Sequence, residues 1–482
     1  MNKEINFDSL VICSTLNQMV NYVVIKEHDI KNVYNIRMKN NYSRSFNYDE
    51  WDKNIKECGA LLDDVIFQDV KFDKSEIRNH KEIKDKLVGE FGGKASNGQN
   101  FKLKDEKILW NITGGQRHFV MAITDYVYNN RPDDVIVYFE GDNEKMYYYE
   151  RDNSIREDDI YREDDYPMSI PLALRLMGFK LSKENEENIK NTSEYSKFLT
   201  SNNLEEFKTK CKNENISYIK NKSIEDTYET IKQEYDWYNE FYKLYVGNKT
   251  LRKLLINSNR FINIKDKTGE EIEVSILKRI KEEIKSCDEV YSKGKNNVFD
   301  EKRFSILEKS IGNHDTAKVF GYILEKMTFY KIIRELIDDE LINEIADIDL
   351  SVKIKDLNCT KDEIKDEFDI LIVTKKGKVI MFECKSGGMT GDNAKSHNYS
   401  TYSIAGVYGK PILISPLLES ESCSNSKEGY STQTVKALKD PDKPYNEDVY
   451  KYIRQATKSA HRAKLQICYI DKINNIINDL LN

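Results

Sequence analysis

The stretch from Asp366 to Lys385 constrains this chain more than any other. Two apolar runs, 368–373 and 379–382, are joined by Thr374-Lys375-Lys376-Gly377-Lys378, a polar turn containing a glycine. That pattern predicts a β-hairpin. Side chains alternate along a strand, so Glu383 and Lys385 share one face while Phe382 and Cys384 take the other. Asp369, at the start of the first strand, can lie across the hairpin from them. Three charged groups are thereby gathered at the end of a largely apolar sheet, where charge is costly unless paired or metal-bound. Asp369 and Glu383 supply hard oxygen ligands of the kind Mg²⁺ or Mn²⁺ takes, and the Cys384 backbone carbonyl is a further donor. Such a cation polarises a phosphoryl oxygen and makes hydroxide from bound water; Lys385 can orient that water or steady the developing charge. Glu and Lys in this pattern also simply solvate an exposed face, so the hairpin alone leaves both readings open.

The spacing D-x13-E-x-K, from Asp369 to Lys385, resembles the PD-(D/E)xK nuclease superfamily, with Glu367-Phe368-Asp369 standing where that family has its proline. Members often carry a metal-site glutamate on the helix before the hairpin. Glu325 fits, inside a run whose apolar residues Phe320, Ile323, Leu324, Met327 and Ile332 recur at helical spacing. Its other reading is a surface glutamate paired with Lys326 or Lys331. Downstream, 411–415 predicts a strand, 456–464 a helix, 465–470 a strand and 473–481 a last helix. The resulting α-β-β-β-α-β order is the superfamily core. His314 and Asp315 suggest either a metal pair or, for Asp315, a helix cap. Residues 387–391 predict a loop, 393–408 a helix carrying Lys395 and His397, and 417–448 a polar flap. Arg454, Gln455, Lys458 and Arg462 mark one face of the late helix, as phosphate contacts or as a solvated face.

At the other end, 7–13 predicts a strand, Ser14-Thr15-Leu16-Asn17-Gln18 a polar loop and 19–25 a helix. Strands are expected at 33–37 and 65–70, a charged helix over 71–88 and a glycine-punctuated loop over 89–100. Residues 107–112 then run as a strand into Thr113-Gly114-Gly115-Gln116-Arg117-His118, with a helix beginning at once. A glycine pair between strand and helix aims backbone N–H groups and a helix N-terminus outward, an anion site that Thr113 and Arg117 can complete. A plain glycine-capped turn has the same outline, and His118 fits either a ligand contact or a helix start. A hairpin over 135–139 and 146–150 and a helix over 169–176 complete this region.

N-x-T-G-G-x-R after a strand, paired with S-T-x-N-Q after the first strand, resembles CARF domains, Rossmann-like sensors of cyclic oligoadenylate in type III CRISPR defence. By that resemblance the ligand contacts are Thr15, Asn17, Gln18, Thr113, Gly114, Gly115, Gln116 and Arg117, and two copies form the pocket across a dimer axis. The expected class is therefore α/β: a CARF-like domain over 1–180, a helical connector over 181–300 and a PD-(D/E)xK nuclease domain over 301–482. The two resemblances together imply a homodimeric, Mg²⁺- or Mn²⁺-dependent nuclease cutting single-stranded RNA, DNA or both, switched on by cyclic tetra-adenylate or hexa-adenylate. Three alternatives remain: a messenger-independent restriction- or resolvase-type DNA endonuclease, a sensor without enzymatic activity, and an enzyme that also degrades its own messenger.

Composition bounds these expectations. The 482 residues suggest two or three domains. Eight scattered cysteines, with no C-x-x-C pair, indicate neither a zinc site nor a disulfide framework. No apolar run approaches membrane-spanning length and the N-terminus lacks a signal-peptide pattern, so a cytoplasmic protein is expected. The net charge of −7 argues against a general nucleic-acid coat but does not exclude a nuclease with local basic contacts. Between 181 and 300, charged Tyr-rich segments at 227–244 and 274–284 suggest solvated connector or dimerisation helices. A small hairpin is expected within 259–274, and Arg252, Lys253 and Arg260 are candidates for substrate contact.

Overall fold

The computed structural model describes residues 6–39, 48–59, 62, 65–92, 103, 106–150, 152, 154–159, 168–182, 224–256, 261–265, 271–291, 316–359, 363–387, 389, 391–421 and 447–481. Arg260, the 266–270 hairpin tip, His314, Asp315, Gly388, Thr390 and most of the expected flap lie outside them.

The N-terminal part runs β1 (Ser9–Cys13), α1 (Met19–His28), β2 (Asn32–Met38), α2 (Tyr48–Gly59), β3 (Ile66–Phe72), α3 (His80–Phe91), β4 (Ile108–Asn111), α4 (Arg117–Asn130), β5 (Val135–Glu140), β6 (Lys145–Tyr149), β7 (Ile155–Asp159) and α5 (Ile170–Leu176). The seven strands lie in the order β3-β2-β1-β4-β5-β6-β7. Pairing is parallel from β3 to β5 and antiparallel beyond. A parallel sheet is covered on both faces, and its central strand is accordingly apolar throughout. In β1, Leu10 and Ile12 enter one core while Val11 and Cys13 enter the other, beside Phe72, Phe91, Trp110 and Tyr126. The stretch 71–88 is not one helix. It holds the end of β3, a 3₁₀ turn at Lys74–Ile77 and the start of α3, because Asp73 with Glu76 and then Asn79 cap separate starts.

The middle contains β8 (Phe179–Leu181), α6 (Ile224–Gly247), α7 (Lys249–Ile256), β9 (Phe261–Lys265), β10 (Glu271–Ser275) and α8 (Ile276–Tyr291), with β9 and β10 forming a two-stranded sheet. The expectation of solvated helices here is overturned for α6, and α8 likewise buries Ile280 and Ile284, in the same cluster as α7. Trp237, Phe241, Tyr245, Leu251 and Leu255 are buried in one cluster with Ile323, Leu324 and Met327. Tyr242 Oη donates to Ile470 O (2.9 Å) and Tyr245 Oη to Pro416 O (2.6 Å). Aromatic rings with polar tips can thus supply a core face from a sequence that reads as charged. Arg252 is buried and donates to Tyr245 O, Val246 O and Glu421, and Lys253 is buried as well, so neither is presented as a substrate contact.

The C-terminal part comprises α9 (Thr316–Asp338), β11 (Ile345–Asp356), β12 (Asp366–Thr374), β13 (Val379–Cys384), α10 (Gly391–Ala405), β14 (Lys410–Ser415), α11 (Glu447–Arg462), β15 (Gln466–Tyr469) and α12 (Ile473–Leu481). Its six-stranded sheet has the order β15-β14-β13-β12-β11-β8. The pairing from β13 to β15 is parallel and the rest antiparallel. The hairpin turn closes with Gly377 at φ 93°, its N–H donating to Thr374 O at 3.0 Å. One apolar cluster joins the two sheets: Leu10, Met19 and Val23 pack with Val352, Leu371, Val379, Met381 and Ile404. Among the described residues no helix is long and apolar enough to cross a membrane.

Candidate functional site

Where β11 pairs with β12, the ladder passes over Ser351 and Asp369, and Ser351 stands in the left-handed region at φ 56°. Both strands change face at that point. Ile348 and Ile370 belong to the cluster under α9, whereas Val352 and Phe368 belong to the cluster shared with the N-terminal sheet. An irregularity of this kind re-aims a side chain within an otherwise regular strand. Here it turns Asp369 toward the neighbouring strand, where its Oδ2 accepts the Cys384 N–H at 2.7 Å.

Glu383, one residue before the end of β13, is 2% exposed. Its Oε1 meets Lys385 Nζ and lies 3.2 Å from His397 Nε2, while its Oε2 is buried without a hydrogen-bond partner among the described residues. Phe382 and Cys384 turn to the opposite face, into the core beneath α9. Glu325, from α9, completes a group that interacts electrostatically. Burial and then the Asp369 charge push Glu325 up to about 8. Burial and then Glu383 push Asp369 up to about 7, against the pull of the Cys384 N–H. Burial raises Glu383 too, against Lys385. For Lys385, burial acts to lower the ammonium, but the Glu383 and Asp369 carboxylates outweigh it and hold it above its ordinary range. Burial raises the Cys384 thiol well above the ordinary range, which makes it a packing group and not a nucleophile.

Among the described residues, no three His, Cys, Asp or Glu side chains form a ready-made metal cluster. The donors nevertheless suit a hard dication: Asp369 and Glu383 as two carboxylates that repel each other, the Cys384 carbonyl beside them, and an unpartnered buried oxygen on Glu383. Sequence reading placed His397 on the helix after the hairpin and gave it no function. Burial and then Lys385 drive its imidazole down to about 4. Its proximity to Glu383 comes from the packing of α10 over β13, which no local pattern records. On α11, Gln455, Lys458 and Arg462 are exposed and Arg454 is half-buried.

At the N-terminal sheet, the residues expected to bind ligand separate into two groups. Thr15 lies against Gly114, and Gly115, at φ 93°, lies against Cys13 at the end of β1. Thr113 Oγ1 accepts the Phe139 N–H at 2.6 Å, Gln116 Nε2 donates to Tyr48 Oη, and Arg117 is exposed at the first turn of α4. These residues surround one strand-to-helix turn. Asn17 goes elsewhere: its Oδ1 accepts the Met19 N–H (3.2 Å) and its Nδ2 donates to Ala405 O at the end of α10 (3.3 Å). Gln18 is fully buried, with Oε1 accepting from Asn21 Nδ2 at 2.8 Å and Nε2 without a partner among the described residues.

No protein-family model matches the chain, and no curated protein matches it in sequence. Among solved structures, protein VC1899 from Vibrio cholerae aligns over 98% of this chain and 97% of its own, at 12% identity and a TM-score of 0.53. Can2 from Sulfobacillus thermosulfidooxidans, solved with cyclic tetra-adenylate, aligns over 99% of this chain and 98% of its own, at 12% identity and a TM-score of 0.49. A type III CRISPR defence DNA nuclease activated by cyclic oligoadenylate covers 85% of this chain and 45% of its own, at 10% identity and a TM-score of 0.38. At 12% identity the likeness to VC1899 is one of architecture, and over nearly its whole length the chain shares the fold of that protein.

Proposed function

We propose that the chain is a divalent-metal-dependent nuclease governed by a cyclic oligoadenylate messenger. The observation that carries the proposal is the carboxylate pair of the hairpin. Asp369 and Glu383 are held together with their pKa values raised, and a buried Glu383 oxygen has no partner among the described residues. Repulsion left uncompensated in a folded core points to a positive ligand. Asp369, Glu383 and the Cys384 carbonyl would hold Mg²⁺ or Mn²⁺. When bound, the ion supplies Lewis-acid polarisation of the phosphoryl group and an activated water. Lys385 keeps its proton and faces the charge that develops on the phosphate, and Glu325, pushed up to about 8, can pass a proton to or from the site.

The messenger half of the proposal rests on the sequence resemblance together with the turn at Thr113–Arg117. There a helix N-terminus, the glycine backbone and an exposed arginine converge beside Thr15. In this reading 1–180 senses the messenger, 301–482 cuts, the protein acts as a cytoplasmic homodimer in type III CRISPR defence, and the substrate is single-stranded RNA, DNA or both.

The test is cleavage of labelled single-stranded RNA, single-stranded DNA and supercoiled plasmid with Mg²⁺ or Mn²⁺, run without messenger, with cyclic tetra-adenylate and with cyclic hexa-adenylate. Cutting that depends on one ring, and that Glu383→Ala abolishes, is the expected result. Cutting without any ring would retain the nuclease and discard the sensor. Cutting by Glu383→Ala at the wild-type rate would discard the assigned site.

A further inference from the structure

The two oxygens of Glu383 live in different surroundings. Oε1 lies beside two nitrogens, Lys385 Nζ and His397 Nε2, and Oε2 is buried with no hydrogen-bond partner among the described residues. The terminal torsion of a glutamate is broad and close to two-fold, so the side chain does not itself choose which oxygen points where. Lys385 is a weak selector, because an ammonium on a four-carbon stem can follow the carboxylate as it turns. An imidazole is a planar group with a fixed nitrogen, and it selects an orientation if its backbone is held.

The backbone of His397 is held. Ser400 Oγ donates to the Asp366 carboxylate on β12, Thr401 Oγ1 contacts Met381 Sδ on β13 at 3.2 Å, and the same hydroxyl donates to His397 O at 3.0 Å. Within one turn of the ring, then, α10 is fastened to both strands of the hairpin. Ile404 and Ala405 continue the attachment into the core shared by the two sheets. The ring is mostly buried, its side chain 16% exposed.

We propose that His397 is a positioning residue for Glu383: Nε2–H, with Lys385, holds Oε1, and Oε2 is thereby kept as the oxygen offered to a divalent cation. The inference rests on the metal reading of the hairpin and adds a residue to it. Groups that orient a metal-binding side chain affect metal affinity by about ten- to a hundredfold. Loss of the ring should weaken cation binding without disturbing the fold.

Mn²⁺ binding to the full-length protein, measured by titration calorimetry, is the first readout. His397→Ala should bind Mn²⁺ about tenfold or more weakly than wild type. His397→Gln, whose amide nitrogen reaches a similar position, should recover most of the affinity. The metal-free melting temperature of both variants should match wild type. Pulsed electron paramagnetic resonance on the wild-type Mn²⁺ complex is the second readout, independent of any variant. Absence of directly coordinated nitrogen supports positioning through Glu383, and a directly coordinated imidazole nitrogen overturns it. Equal Mn²⁺ affinity in wild type and His397→Ala also overturns it. Failure of the wild type to bind Mn²⁺ would instead overturn the metal reading on which the inference stands.

Discussion

Glu325, Asp369 and Glu383 bring more negative charge together than Lys385 neutralises, and two of them titrate near neutrality, at about 8 for Glu325 and about 7 for Asp369. An acid whose folded pKa is raised binds its proton more tightly in the native state. Its contribution is fully present below the unfolded pKa and is lost as pH rises through the folded value. Between about pH 6.5 and pH 8, above the range in which His397 titrates in either state, the metal-free protein should therefore lose stability, and above about pH 8 the profile should level off. Calorimetry in chelator should show the melting temperature falling across that window, and Asp369→Asn should flatten the slope. A flat wild-type profile would show that the carboxylates are not forced together. At this scale Glu383 and Lys385 were legible as a pair, because a two-residue strand period puts them on one face, whereas the aim of Asp369 follows from the change of face at Ser351. Gln18 was misread: its loop looks polar, yet its side chain is buried in a network with Asn21. His397 carries no local signal of its partner.

The turn from β4 into α4 shows how much one element depends on a single atom. A Cβ at Gly115 would lie 2.4 Å from Cys13 Cβ, and the residue already stands at φ 93°. Gly115→Ala should thus cost roughly 3 kcal/mol, combining left-handed strain with overpacking against β1. Urea denaturation measures this directly, and a midpoint equal to wild type would mean that the turn relaxes away from β1. The substitution disturbs the sheet as well as any ligand, so Arg117, exposed on the first turn, is the cleaner position for probing messenger binding. Strands buried on both faces, such as β1, β4 and β13, were readable as apolar runs bounded by turn residues. β11 was not anticipated, although Ile348, Leu350, Val352 and Ile354 alternate with polar residues. Their uninterrupted alternation also conceals the change of face at Ser351, which a left-handed backbone creates and residue type does not announce. α2 was missed because its buried residues, including Tyr48, Ile55 and Cys58, are few among charges.

Across the whole molecule, the border expected at 180/181 falls inside β8, a strand that follows the N-terminal part yet pairs with β11 of the second sheet. The hairpin turn is fastened to both parts as well: Thr374 donates to Glu144 Oε1 at 2.6 Å, Lys378 donates to Leu480 O at 2.9 Å, and Gly377 sits against Met19. Lys410 adds an ion pair with Asp142 at 2.7 Å. With one apolar cluster crossing between the sheets, the two should unfold in a single cooperative transition by scanning calorimetry. Two separated transitions would contradict that cooperativity. The shared cluster also bears on descent and on engineering. A recombinant that joined this N-terminal half to an unrelated nuclease would bring together two surfaces shaped for other partners, leaving Met19 and Val23 without Val379 and Met381. Any workable exchange has to move α1, α5, β8 and the 374–378 turn as one cassette, so the two halves of this chain are constrained to change along their common seam together.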